Sequence, residues 1–271
     1  MYLAQHIPIY LAFWLLVVLF YFLGTGHLRF KKFHFSKRNY YLMMLAFLVA
    51  TLIDAYSANS WKHLVFFAVF CFTGVIGETM ISIWWHLFFG RKFWTYIVDT
   101  VYHKYTSLLN FIPWGMGGLL YLTILSKTIP DPYGPAYQNL ENIFLFALVF
   151  VVLLQVLIFR MLLHRNSGNK FREITFESTF FFYLPILGLI IFLALIYGNE
   201  IYLLAIVFGL FAAAIEYLFG QATQFFITKK LWVYNYLAAD QGHFTPLTIP
   251  LFALGGFYFW SIARILDGLL L

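Results

Sequence analysis

Residues 64–89 read LVFFAVFCFTGVIGETMISIWWHLFF, and residues 201–227 read IYLLAIVFGLFAAAIEYLFGQATQFFI. Each is an apolar run carrying one carboxylate near its middle, Glu78 in the first and Glu216 in the second. About 20 apolar residues in helical form cross the hydrocarbon of a bilayer, so both runs are long enough to span it with some tilt. Strand alternation is absent, and the runs far exceed the roughly 10 residues of a membrane strand, so they read as helices rather than barrel strands.

The rest of the chain follows the same pattern. Of 271 residues, 63% are hydrophobic and 10% charged, against about 25% charged in an ordinary soluble domain. Eight spans are expected, at about 7–24, 41–58, 64–89, 106–125, 143–160, 179–198, 201–227 and 244–263. The fold expected is all-α, a polytopic helix bundle in a membrane. The net charge of +6 does not point to nucleic acid, because the basic residues flank the apolar runs.

Fourteen of the 17 Lys and Arg fall after odd-numbered spans: Arg29, Lys31, Lys32, Lys37 and Arg38; Arg91, Lys92 and Lys104; Arg160, Arg165, Lys170 and Arg172; Lys229 and Lys230. Lys62, Lys127 and Arg264 fall on the other side. The positive-inside rule then predicts a cytoplasmic (inner) membrane protein with both termini non-cytoplasmic. The first span has its basic run after it, the reverse of a signal peptide, so it is expected to be retained.

Shifted by 138 residues, the sequence aligns with itself. Lys32-Phe33 falls on Lys170-Phe171, Glu78 on Glu216, Arg91-Lys92 on Lys229-Lys230, Trp94 on Trp232 and Tyr96 on Tyr234. Ser107 falls on Thr245 and Gly117-Gly118 on Gly255-Gly256, with Pro113 and Pro250 one residue out of register. Two four-helix repeats of the same orientation are expected, 1–126 and 143–271. The Pro- and Gly-containing stretch 127–142 would join them as a non-cytoplasmic linker.

Glu78 and Glu216 are the candidate reactive groups. A carboxylate at the bilayer centre costs roughly 2.5–3.5 kcal/mol or more, offset by protonation, a partner or water. They either act chemically or serve as polar glue between helices. Ser82, Trp85 and His86 share the helix face of Glu78, and Gly220, Thr223 and Gln224 that of Glu216. His86 is a candidate catalytic group. Ser82, Trp85, Asn110 and Gln224 are candidate substrate contacts. Trp94, Tyr96, Trp232 and Tyr234 are expected at the membrane interface as anchors, or as a lid over the polar stripe. Asn110, Trp114 and the glycines of spans four and eight suit close helix packing. Pro113, Pro246 and Pro250 are expected to kink their helices. Asp54 lies near a span end. Cys71 reads as a small buried hydrophobe.

No P-loop, HExxH helix, CxxC pair or nucleophile elbow occurs, so no cofactor or metal is expected. The block Glu78, Trp94-Thr95-Tyr96, Thr106 to Asn110 and Trp114-Gly115 resembles the ABC-transporter type IV (CmpB-like) membrane family. In that family a Glu in one helix is followed by Trp-x-Tyr and a helix with Trp-Gly. The second copy matches only through Glu216, Trp232 and Tyr234. Thr95 and Val233 stand where the family has an acidic residue. The resemblance implies permease activity.

Three functions remain open at this level. One is a transporter or permease in which the carboxylate pair couples transport to a proton or cation. Another is an intramembrane enzyme acting on an isoprenoid or other lipid with Glu78 as general acid. The third is a non-catalytic subunit of a larger complex. Membrane lipid, a small molecule or ion, a partner subunit and a second copy of the chain are the expected partners; nucleic acid is not.

Overall fold

The computed structural model describes residues 7–24, 36–57, 59–165, 174–227 and 229–270. Arg29, Lys31, Lys32, Lys170, Arg172 and the Lys32-Phe33/Lys170-Phe171 correspondence lie outside the described residues.

The chain is an all-α membrane bundle. Its helices are α1 (Ile7–Gly24), α2 (Lys37–Ser57), α3 (Trp61–Phe89), α4 (Phe111–Thr128), α5 (Leu140–Arg165), α6 (Phe176–Tyr197), α7 (Glu200–Thr223) and α8 (Thr248–Leu269). Helices α2 to α8 are each long and apolar enough to cross a membrane, and α1 is a shorter apolar helix. The outward faces carry Leu, Ile, Val and Phe, as lipid contact requires. Pro113 and Pro250 do not kink their helices. Each is the third residue of its helix, where the missing N–H had no intrahelical acceptor. Pro246 precedes α8, and the proline inside a helix is Pro185 of α6.

Helices α3 and α4 pack closely on each other, and so do α7 and α8. Both pairs use the same device. A Cβ at Gly118 would lie 2.6 Å from the Phe70 ring, and a Cβ at Gly256 would collide with Phe208. Only glycine lets these backbones approach so closely. Phe70 and Phe208, like Gly118 and Gly256, are 138 residues apart.

Between α3 and α4, and again between α7 and α8, the chain leaves the α-helical conformation and forms short strands and single 3-10 turns. Strand β1 (Trp94–Tyr96) pairs antiparallel with β4 (Trp232–Tyr234), in the register Trp94 with Tyr234, Thr95 with Val233 and Tyr96 with Trp232. The ladder continues on both sides, Ile97 N donating to Leu231 O and Asn235 N to Phe93 O. These two bonds also exchange under the 138-residue shift, so the pairing is two-fold about the Thr95–Val233 pair. A hairpin, β2 (Thr100–Val101) with β3 (Thr106–Ser107), follows β1.

The loops beside the strands repeat in detail. Positive φ occurs at Asp99, Tyr102, His103 and Lys104, and at the shifted positions Leu237, Asp240, Gln241 and Gly242. Lys92 donates to the carbonyl of His103, and Lys230 to that of Gln241. Such agreement in sparsely populated backbone conformations extends the sequence match to residues that share no side-chain likeness. Asp99 is further tied to Lys37 at 2.5 Å and to Tyr41. Burial pushes its carboxyl up, but Lys37 and Tyr41 outweigh this and hold it below the ordinary range.

The linker is pinned to α8. Trp260 Nε1 donates to Pro132 O at 3.1 Å, and Arg264 donates to Pro132 O and to Glu141.

The strand register can be checked directly. Opposed residues of a hydrogen-bonded antiparallel pair sit about 5.5 Å apart at Cα, within disulfide range. Thr95→Cys with Val233→Cys, in a Cys71→Ala background, should cross-link on mild oxidation. Thr95→Cys with Leu237→Cys, four residues further along the second segment, should not. Gel mobility after cleavage in the linker would distinguish them.

Candidate functional site

Glu78 lies 11 residues before the end of α3, about 16 Å along the helix axis. The hydroxyl of Tyr96, seven residues beyond that end, nevertheless donates to Glu78 Oε1. The chain must therefore turn back into the bundle after α3. Tyr234 does the same for Glu216 Oε1 after α7. The interfacial position expected for Trp94, Tyr96, Trp232 and Tyr234 is not the one they take. They are buried, at 7% exposure or less, and form the inner ends of a re-entrant strand pair. Non-helical backbone at this depth is tolerable only where protein surrounds it and satisfies its polar groups. The β1–β4 ladder does so, helped by Trp94 Nε1, which donates to Tyr105 O at 2.8 Å.

The two carboxyl groups differ in their partners. Glu78 Oε2 accepts from Thr106 Oγ1 at 2.6 Å and from Trp114 Nε1 at 3.2 Å. Its Oε1 takes Tyr96 and a long contact from Asn110 Nδ2 at 3.4 Å. Glu216 has Tyr234 alone, and its buried Oε2 has no protein partner. The reason is plain under the 138-residue shift. Thr106, Asn110 and Trp114 become Phe244, Thr248 and Phe252. Sequence reasoning meets Thr106 only within the block that carries the family resemblance and gives it no role of its own. A hydroxyl beside the equally plain Ser107 gives no signal until the hairpin folds back.

Two cavities flank the pair, and both are lined by Glu78, Glu216, Trp114, Tyr121 and Phe252. The smaller, about 80 Å³, lies among α1, α4 and α7. The larger, about 750 Å³, lies among α3, α5 and α8. Every residue that lines the small cavity except Ile124 has its counterpart under the same shift in the wall of the large one, which extends further along α3 and α5. Gly117 faces one and Gly255 the other, and a Cβ at either position would meet no neighbouring atom within 4 Å.

Side-chain size explains the difference in volume. The small cavity has Trp14, Phe211, Ala212, Ile215 and Phe219, where the large one has Val152, Thr73, Gly74, Gly77 and Ile81. Helix position adds to it. Helix α1 packs firmly on α7, whereas α5 leans on α8 and α6. Phe88 and Phe159 touch at one end of the α3–α5 gap, with ring centroids 4.8 Å apart. Along the gap, Ile76, Met80 and Val156 line the cavity and remain exposed on the lipid-facing surface. The large cavity therefore opens sideways, between two apolar helices, and ends at the carboxyl pair.

The other expected residues divide. Asn110 lies at Glu78 and lines the small cavity. Ser82 is buried with its Oγ unpartnered. Trp85 is fully buried among Phe89, Phe93 and Phe182 and lines neither cavity. His86 is two turns from Glu78 and meets Tyr105 OH at 2.9 Å, so it is not at the carboxyl pair. Gln224 bonds His243 rather than lining either cavity. Cys71 is buried against Gly115, and burial suits it to a packing role. Among the described residues, no group of three His, Cys, Asp or Glu side chains is placed to hold a metal.

Comparison with known protein families, with characterised proteins and with solved structures finds no match to this chain.

The unequal partners predict unequal costs of removal. Glu78→Leu strands three donors, Tyr96, Thr106 and Trp114, each costing about 1–3 kcal/mol when left buried and unpaired, while Asn110 keeps its bond to the Tyr96 hydroxyl. It should lower stability in detergent by more than about 3 kcal/mol. Glu216→Leu strands only Tyr234 and should cost about 1–3 kcal/mol. Thermal unfolding followed by intrinsic Trp fluorescence would measure both.

Proposed function

We propose that the protein is an intramembrane acid–base catalyst acting on an unsaturated, isoprenoid-type lipid. The observation that carries this reading is the sideways, apolar cavity of about 750 Å³ that ends at two carboxyl groups with different hydrogen-bond partners. A cavity of this size suits one elongated small molecule. Its mouth faces acyl chains rather than water, which selects a lipid.

An ionised carboxyl only accepts hydrogen bonds, while a neutral one also donates. Glu78, surrounded by donors, is suited to the carboxylate form and to the role of base. Glu216, with a free Oε2 at the cavity, is suited to carry and deliver a proton. This reverses the role expected for Glu78 from sequence.

In the proposed step, the Glu216 proton adds to one carbon of a C=C bond and leaves the neighbouring carbon cationic. Trp94, Trp114, Tyr258 and Phe259 line the cavity and offer π faces to that cation. Glu78 then removes a proton from an adjacent carbon, reforming a double bond elsewhere. Proton return from Glu78 to Glu216 closes the cycle. The net change is an isomerisation or a ring closure, with no electrons gained or lost.

A transporter reading is favoured by one feature: two cavities reach the carboxyl pair from opposite sides. The resemblance to the type IV permease family supports the same reading. Under either reading, we propose two four-helix repeats, 1–126 and 143–271, joined by 127–142. The basic loops would face the cytoplasm in an inner membrane.

Proteoliposomes containing a panel of polyenes and polyprenols, incubated in D2O, distinguish the two. Catalysis should place deuterium at carbon in an isomeric product. Glu216→Gln and Glu78→Gln should each slow this by roughly 10²–10⁴-fold. Val152→Trp, which copies the Trp14 plug, should block it while leaving the fold intact. Proton flux down a gradient, lost in the double Gln variant and unaccompanied by product, would establish transport and overturn the catalytic reading.

A further inference from the structure

We infer that the lipid taken by the large cavity carries an anionic, phosphate-type head held by Arg160, and reacts at a double bond far down its tail. This deepens the function proposed above and rests on its reading of the large cavity as the substrate site.

Among the described residues, Arg160 of α5 is the basic side chain that lines this cavity along with Glu78 and Glu216. Leu148, Val152, Val156, Phe159 and Arg160 follow one another at helical spacing, so Arg160 ends the stripe of α5 that forms the cavity wall. It still falls inside the apolar span Pro135–Met161. A guanidinium there stays charged and calls for an anion or water. Among the described residues it has no ion pair or hydrogen bond with a side chain or carbonyl.

The contact between Phe88 and Phe159 fixes the depth of Arg160. Phe88 stands ten residues beyond Glu78 on α3, about 15 Å along the axis, and its ring meets that of Phe159, the neighbour of Arg160. The cavity is thus acidic at its inner end and basic at its far end. Between them lie apolar side chains such as Ile81, Ile83 and Leu87. An amphiphile with a negative head and an apolar tail fits that order in one direction only. The planar fork of arginine matches the oxygens of a phosphate two at a time. With the head at Arg160, the carboxyl pair meets the tail well beyond its first double bond. The head then anchors the molecule and is not a leaving group.

The other cavity lacks this arrangement. Under the 138-residue shift, Arg160 falls on Phe22 and Phe159 on Tyr21. Among the described residues, the wall of the small cavity, plugged by Trp14, carries no Lys, Arg or His. The positive charge accompanies the open cavity and is absent from the filled one. An arginine that served only to reach ordinary phospholipid heads would need no cavity beside it.

Photolabelling of the full-length protein in phosphatidylcholine nanodiscs tests this without turnover. The probes are geranylgeranyl phosphate and geranylgeraniol, each with a diazirine at the far end of the tail. In the wild type, the phosphate should label the cavity wall at a mole fraction about 10-fold lower than the alcohol. Arg160→Gln should abolish that difference, and Arg160→Lys should keep part of it. Arg160 is exposed, so both variants should fold. Equal labelling by the two probes in the wild type would overturn the anionic head. A difference that survives in Arg160→Gln would overturn the assignment to Arg160. Phosphatidylglycerol that displaces the probe as well as unlabelled geranylgeranyl phosphate does would mark a site for ordinary lipid heads. Inorganic phosphate that does so would mark a site for the free ion, and either result would overturn the proposal. Phosphate-selective labelling with no deuterium incorporation in D2O would leave the head site standing and remove the catalytic reading. No labelling of the wall by either probe would overturn both.

Discussion

Hydrocarbon gives no hydrogen bonds, so every peptide group placed in it must find a partner within the protein. The segments after α3 and α7 meet this demand by pairing with each other. Neither strand could enter the bundle alone, because each would bring an unpaired edge to membrane depth. Paired, Trp94–Tyr96 and Trp232–Tyr234 form a short ladder whose centre is the Thr95–Val233 pair. Tyr96 and Tyr234 reach the two glutamates only because the ladder holds them at that depth. The site is thus a consequence of how two backbone segments satisfy one another.

Around that two-fold ladder the side chains are not two-fold. Glu78 gathers Thr106, Asn110 and Trp114, while Glu216 meets Phe244, Thr248 and Phe252 at the shifted positions. One flanking cavity is filled by Trp14, Ile215 and Phe219; its counterpart is left open by Val152, Gly77 and Ile81. A symmetric frame fixes the depth of two like groups, and substitutions around it give them different surroundings. Environment, not residue type, then separates an acid from a base.

Much of this is legible in the sequence. Long apolar runs place all eight helices, with ends wrong by a few residues where the re-entrant segments begin. Span four is expected from 106, but residues 106–110 form a strand and a 3-10 turn before α4. The 138-residue match picks out Glu78, Glu216, Tyr96 and Tyr234 together. It does not say that the tyrosines fold back to the glutamates. Aromatic residues beside basic pairs follow the interfacial pattern, and only the pairing partner, 138 residues away, overrides it. Trp85 and His86 mislead for a related reason. They share a helix face with Glu78, but Phe93 and Phe182 of other elements claim Trp85, and Tyr105 claims His86. Helical spacing reports which residues face one way; it does not report what the other elements bring to meet them.

The gap between α3 and α5 opens the larger of the two cavities that reach the carboxyl pair. Its mouth borders acyl chains along Ile76, Met80 and Val156, so an entering molecule has already left water. Under the proposed function, occupancy would follow mole fraction within the bilayer, a two-dimensional supply, and not concentration in the surrounding solution. Diluting a ligand with inert phospholipid, at constant total amount, lowers loading just as diluting a soluble ligand with buffer does for an ordinary pocket.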